Sequence, residues 1–282
     1  MIPFLHLGPL TIPTFGLMVA IALLVSAYVL QADFNRRRAQ LERLPGYMSQ
    51  KDEGFLIIGI AGMAGLVGAR LYHVLEDPHE LLAHPGELLL SRFGFAWFGG
   101  FLGGLIALII LARRLKIPLL LFLDICSPAA CVGYAIGRIG CLLSGDGDYG
   151  KPTSWQWPWG IALPNGVVPT TETCVQWGWP GDCRVYPTPI YEFVIWMAIA
   201  ALLWRLGTES LQKPKPQGEM FANYLIWTGV ARFLIEFIRI NPRSFLGLSN
   251  AQTASLASII FGLILLWRIK ARSHPQSAAR AT

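Results

Sequence analysis

Apolar residues gather into seven long runs along this chain, centred on positions 14–32, 54–74, 93–112, 119–145, 189–204, 220–240 and 251–267. A hydrocarbon layer about 30 Å thick is crossed by about 20 apolar residues in helical form. Each run therefore predicts a transmembrane helix, some of them short or interrupted by glycine. The polar intervals between runs carry Lys and Arg unevenly. Five lie between Arg36 and Lys51, three between Arg113 and Lys116, three between Arg205 and Lys215, and four between Arg268 and Arg280. The alternate intervals hold only Arg92, Lys151, Arg184 and Arg243. Basic loops face the cytoplasm, so this alternation predicts an external N-terminus and a cytoplasmic C-terminus, as an odd number of spans requires. The fold class expected is an all-α integral membrane protein, a bundle of seven transmembrane helices. One polytopic domain would cover 1–272, followed by an unstructured polar tail over 273–282.

Composition points the same way. Of 282 residues, 54% are hydrophobic and only 14% charged, and the mean hydropathy is +0.48. A soluble domain needs a charged shell of roughly a quarter of its residues, so lipid must solvate much of this surface. The net charge of +6 is explained by membrane topology and gives no reason to expect nucleic acid. Met1 to Pro13 carries no Lys or Arg, and no small-residue cleavage site follows the first run. The first span is therefore expected to be retained.

Four arginines remain inside the runs: Arg70, Arg138, Arg232 and Arg239. On the predicted topology all four lie toward the external ends of their helices, as do Glu192 and Glu236. Charge at mid-bilayer costs at least about 2.5 kcal/mol per group, and such groups face the bundle interior and serve a function. Arg232 and Glu236, or Glu236 and Arg239, have the spacing to pair on one helix face. Four arginines against two in-span carboxylates still leave a positive surplus. An anion would balance it, guanidinium is well shaped for phosphate, and the outer-leaflet depth suggests a phospholipid head group.

Small residues at helical spacing (Gly62, Gly65 and Gly68; Gly99 with Gly103; Gly100 with Gly104) predict close helix packing. Gly99 and Gly100 also lie at the depth of the arginines, where they would leave room for a ligand. The interval 146–186 is a long external loop with five tryptophans, Trp155, Trp157, Trp159, Trp177 and Trp179. Interface anchoring and a substrate role are both open for these rings. Cys174 and Cys183 share the loop, and whether they pair is left open. Metal-ligand spacings, nucleotide-type glycine loops and Ser-His-Asp arrangements are absent from the sequence, and no cofactor is expected. Asp124, away from the arginines, reads as an interfacial or capping residue.

At GRIGCLLSGDGDYGKPT (Gly137 to Thr153) the chain resembles the signature of the prolipoprotein diacylglyceryl transferase family. IPTFGLM (Ile12 to Met18), GARLYHVLED (Gly68 to Asp77), FAWFGGFLGG (Phe95 to Gly104), YPTPIYE (Tyr186 to Glu192) and RFLIEFIR (Arg232 to Arg239) resemble further family segments in order and spacing. The resemblance implies a seven-span enzyme of the bacterial plasma (inner) membrane. Such an enzyme moves the diacylglyceryl group of phosphatidylglycerol onto the lipobox cysteine in the signal peptide of a prolipoprotein. Its partners would be that lipid, that peptide and the membrane, without nucleic acid. By the same resemblance Arg138 corresponds to the arginine that holds the lipid phosphate, and Arg232 with Glu236 to a second essential pair. Asp146 stands where the family usually has Glu. Departures are Phe98 for a His commonly assigned as the base, Cys141 and Ser144 for two Asn, Phe15 for a Tyr, and YPTP for HPSQ.

The implied reaction has two physical needs. A thiol of pKa about 8.5 must reach thiolate, and the charge growing on the leaving phosphate must meet fixed donors. Arg138 and Arg232 would clamp phosphate, with Arg239 and Arg70 as further contacts and Glu192 and Glu236 orienting them. Asp146 ranks first as base, ahead of Asp148. Tyr191 or Tyr149 would donate a hydrogen bond, and arginine electrostatics without a discrete base also satisfies the chemistry. The alternative is a catalytically altered relative that binds or transports an anionic phospholipid.

Overall fold

In the computed structural model, which describes residues 2–76, 97–179 and 183–278, nearly every apolar run is helical. A short hairpin, β1 (Phe4–Leu7) with β2 (Leu10–Pro13), pairs Phe4 with Pro13 and Leu7 with Leu10 and leads into α1 (Thr14–Leu41). There follow α2 (Glu53–Glu76), α3 (Trp97–Arg114), α4 (Leu119–Ser144), a short α5 (Thr170–Gln176), α6 (Thr188–Gln212), α7 (Glu219–Ile235) and α8 (Asn250–Ala278). Six of these, α1, α2, α4, α6, α7 and α8, are long and apolar enough to cross a bilayer. Leucine, isoleucine, methionine and tryptophan side chains such as Met63, Leu66, Ile264 and Trp267 are exposed along them. Water would not tolerate so much uncovered apolar area, whereas lipid does. This is an integral membrane protein.

Helix boundaries extend past the apolar runs where polar residues find partners. α1 continues beyond the expected end at 32 to Leu41 because Asp33, fully buried, accepts from Arg36 and Arg37, each at 2.7 Å. α8 continues to Ala278, so its helical backbone enters the segment from 273 expected to be unstructured. The segment 77–96, which holds the start of the third run, lies outside the described residues.

The chain divides into two compact units, residues 26–122 and residues 1–25 with 123–282. In the first, α2 and α3 pack backbone to backbone. A Cβ on Gly68 would run into the Gly99 carbonyl and stand 3.1 Å from the Gly103 Cα, and one on Gly99 would strike Gly68 and Tyr72. These glycines thus serve the close approach that favours helix pairing in lipid. At one end of the same unit the buried Glu53 accepts from both terminal nitrogens of Arg38 (3.0 Å each), the Tyr47 hydroxyl (2.7 Å) and the Gln50 amide (2.9 Å), holding the α1–α2 connection.

In the second unit α7 and α8 meet through Gly229 and Gly262, where added Cβ atoms would press on Ile259 and Ile226. Asp124 of α4 takes on a capping role: its carboxylate accepts from the amides of Gly218 and Phe221, each at 2.7 Å. An aspartate there satisfies two orphan donors at the start of α7 and favours the helix dipole. Gly218 has φ +93°, a conformation that glycine adopts without strain.

Candidate functional site

Arg138 lies near the end of α4, six residues before the helix gives way to a turn with left-handed glycines at Gly145 (φ +66°) and Gly147 (φ +90°). That turn brings Asp146 and Asp148 back beside α4. The chain then passes through Gly150, whose Cβ would stand 2.6 Å from Tyr186 and 2.8 Å from the Ile238 carbonyl. Only a glycine fits between those strands of backbone. Bonds from Gly150 N to Tyr186 O (2.9 Å) and from Lys151 N to Ile238 O (2.7 Å) pin the turn to the start of α6 and the end of α7. At that end α7 tightens into a 3₁₀ turn, Glu236–Ile238, and Arg239 is extended. Pro242 follows, and proline disfavours helix in the residue before it.

These local structures converge on Glu192, in the second turn of α6 and fully buried. One of its oxygens accepts from Arg232 and, at 2.9 Å, from the Tyr134 hydroxyl. The other pairs with Arg138 and with Arg239, the latter at 3.4 Å. Glu236, also buried, pairs with Arg232 at 3.1 Å and Arg239 at 3.6 Å, and accepts from Asn241 (2.6 Å) and Ser249 (2.8 Å). Asp148 completes the set by bridging Arg138 and Arg239, one carboxylate oxygen to each. Buried charges of this kind persist only when each is paired and hydrogen-bonded, and here every guanidinium has at least two carboxylate partners.

The structure therefore brings together Arg138, Arg232, Arg239, Glu192 and Glu236. It also corrects the charge count. Three guanidinium groups meet three carboxylates in this cluster, because Asp148 enters from the turn, so the positive surplus expected from the spans alone is not present there. Asp146 sits beside the cluster. Its carboxylate accepts from the Asp148 amide at 3.1 Å, and one of its oxygens, one of those of Asp148 and the Cys141 sulfur lie within 4.8 Å of one another. Those three have the donor types of a metal site, yet Asp148 is already engaged by two cations whose field would oppose a third. Burial raises the Asp146 carboxyl above its ordinary pKa. Burial acts on Asp148 in the same sense, but the charges of Arg239 and Arg138 outweigh it and hold that carboxyl below the usual range.

Other expected residues lie elsewhere. The Tyr191 hydroxyl donates to the Trp159 carbonyl at 3.0 Å and so serves the tryptophan-rich loop, not the carboxylate cluster. Tyr149 is buried with Cys174 and Val185 in the core of that loop, where burial pushes its phenol up to about 12. Arg70, half-buried on α2, and Gly99 and Gly100, packed on α3, belong to the other compact unit. Phe98, in place of the expected His, is exposed at the start of α3. Cys174 and Cys183 are joined as a disulfide, and all five loop tryptophans are exposed.

Sequence reasoning missed Tyr134, Asn241 and Ser249. Tyr134 is one turn before Arg138 and on its face of α4, and its ring stacks on Trp196 at 4.6 Å, so helical spacing was an available signal. Asn241 and Ser249 offered none, since they reach Glu236 only through the turn that follows α7.

A family model described as prolipoprotein diacylglyceryl transferase matches residues 3–268. Among similar proteins, the phosphatidylglycerol--prolipoprotein diacylglyceryl transferase of Clostridium tetani is 30% identical over 253 residues, covering 89% of this chain and 90% of that one. The proteins of the same name from Cupriavidus metallidurans and Nitrosomonas europaea are 31% and 30% identical, each covering 98% of this chain and, respectively, 96% and 92% of their own length.

Proposed function

Because the chain belongs to the prolipoprotein diacylglyceryl transferase family, we propose that the arginine cluster braced by Glu192 is the site of its transfer reaction. The protein is a membrane transferase that moves the diacylglyceryl group of phosphatidylglycerol to prolipoproteins. In our reading it sits in the bacterial inner membrane with seven spans, α3 being the third. The N-terminus faces outward and the cluster lies near the external face, with the exposed tryptophans of 146–186 at head-group level.

The chemistry assigns work to each group. The acceptor cysteine loses its S–H proton to a carboxylate, and the sulfur pair attacks the glycerol carbon that bears phosphate. The C–O bond breaks, its electron pair stays with the phosphate oxygen, and glycerol 1-phosphate leaves. Arg138, Arg232 and Arg239 hold the phosphate and meet the charge that grows on it, while Glu192 and Glu236 fix their directions beforehand, so little reorganisation is needed during reaction. Asp146, more basic than a solvated aspartate and adjacent to the arginines, accepts the thiol proton.

The observation that carries this reading is the convergence of three guanidinium groups from α4 and the end of α7 on one buried glutamate. The test is complementation of cells depleted of their own transferase. The wild-type chain restores lipoprotein modification, Arg138→Ala and Arg232→Ala abolish it, and Phe98→Ala leaves measurable activity. A wild-type chain that inserts correctly and binds phosphatidylglycerol, yet modifies no lipobox peptide, overturns the assignment in favour of a lipid binder.

A further inference from the structure

The three carboxylates of the cluster differ in how they are held. Glu192 and Glu236 are fixed on helical segments with fully buried side chains, each engaged by several donors. Asp148 is on the turn, and its side chain keeps 38% of its accessible surface, although its partners Arg138 and Arg239 keep only 9% and 3%. It spans the two guanidinium groups with one oxygen each, as the two free oxygens of a phosphodiester would.

We propose that Asp148 occupies the phosphate position in the resting protein and is displaced, one anion for another, by the phosphodiester of the incoming lipid. Charge balance supports the exchange. With Asp148 in place three cations meet three anions. With Asp148 withdrawn and a singly charged phosphodiester bound, the count is again three against three, because Glu192 and Glu236 stay. A phosphate added without withdrawal would leave a fourth anion in a poorly solvated site.

The backbone around Asp148 is tied down, its amide by Asp146 at 3.1 Å and its carbonyl by Thr188 at 3.1 Å. Withdrawal is thus a rotation of one partly exposed side chain between staggered states, and the turn need not open. The gain for the resting protein is that three arginines near the lipid head groups are never left with uncompensated charge, which would be costly at this depth.

This inference rests on the transferase reading, and the experiments separate the two. In nanodiscs of graded phosphatidylglycerol content, with a lipobox peptide held constant, kcat and KM for the lipid are compared for wild type, Asp148→Asn and Asp148→Glu. If the resting aspartate blocks the site nine-tenths of the time, Asp148→Asn lowers the lipid KM by about tenfold, whereas Asp148→Glu, which keeps the negative charge, shows no such fall. A second measurement needs no variant: carbodiimide-driven coupling of an amine to Asp148 in the wild-type protein, read by mass spectrometry. Phosphatidylglycerol raises the labelling of Asp148, whereas diacylglycerol, which lacks the phosphodiester, does not. An Asp148→Asn protein that folds and shows an unchanged or raised KM overturns the displacement, as does labelling that phosphatidylglycerol leaves alone or suppresses. Loss of transfer by the wild-type protein itself would instead sink the transferase assignment.

Discussion

Replacing Glu192 by Gln changes one buried atom, and its cost follows from the contacts of the carboxylate. One oxygen serves Arg232 and Tyr134, the other Arg138 and Arg239. An amide turns one of those oxygens into a donor, so in either orientation two donors face an NH₂ group instead of an acceptor. Hydrogen bonds to charged partners contribute about 1.5–3 kcal/mol each, which gives a loss of about 3–6 kcal/mol. Removing one partner from a buried ion pair costs about 3–5 kcal/mol, a consistent range. For a chain of this size a loss of 3 kcal/mol lowers the melting temperature by roughly 6–12 °C. The arginines also lose the brace that aims them. If about 2.7 kcal/mol of the loss falls on the transition state, turnover drops about a hundredfold. The assays are thermal unfolding in detergent and diacylglyceryl transfer to a lipobox peptide. Glu209→Gln is the control, since its pair with Arg205 is exposed, 81% and 47% for the two side chains, and such pairs contribute little. A Glu192→Gln protein with wild-type melting and wild-type turnover would refute the assignment of Glu192 as the hub of the cluster.

Two further outcomes are expected. With Asp146 as proton acceptor, transfer rises with pH as that carboxyl ionises, and because burial raises its pKa the midpoint lies above that of an ordinary aspartate. Asp146→Asn removes this limb from the pH–rate profile and lowers kcat. Gly68→Val drives a branched side chain into the Gly99 carbonyl and toward the Gly103 Cα, and overpacking of this kind costs about 1–3 kcal/mol or more. Reduced thermal stability and poor recovery from membranes report it, whereas Gly178→Val, at a site with open space but φ +60°, strains only its own turn.

The membrane class and the helical segments were legible in the chain because the bilayer imposes a length and a polarity that any spanning segment must meet. The polar ends of the helices were less legible. Residues 33–41 remain helical where Asp33 finds Arg36 and Arg37 and where Phe34 and Leu41 are buried, and polarity alone suggested a loop there. Arg138, Arg232, Arg239, Glu192 and Glu236 stood out for the same reason as the spans: charge inside an apolar run is too costly to be incidental. Asp148 lay in a polar turn where a carboxylate is unremarkable, so its double engagement was invisible, and with it the charge neutrality of the cluster. The Cys174–Cys183 pairing was likewise undetermined until the loop was folded.

By itself, then, the order of residues determined which segments meet lipid, which charges must turn inward, and, through its signature stretches, the family. Tertiary structure decided who neutralises whom. Helical periodicity relates residues three or four apart on one element. Bringing Asp148 to Arg239, or Asn241 and Ser249 to Glu236, depends on how turns re-enter the bundle, through backbone bonds at Gly150 and Lys151 that carry no trace in the pattern of apolar and polar positions.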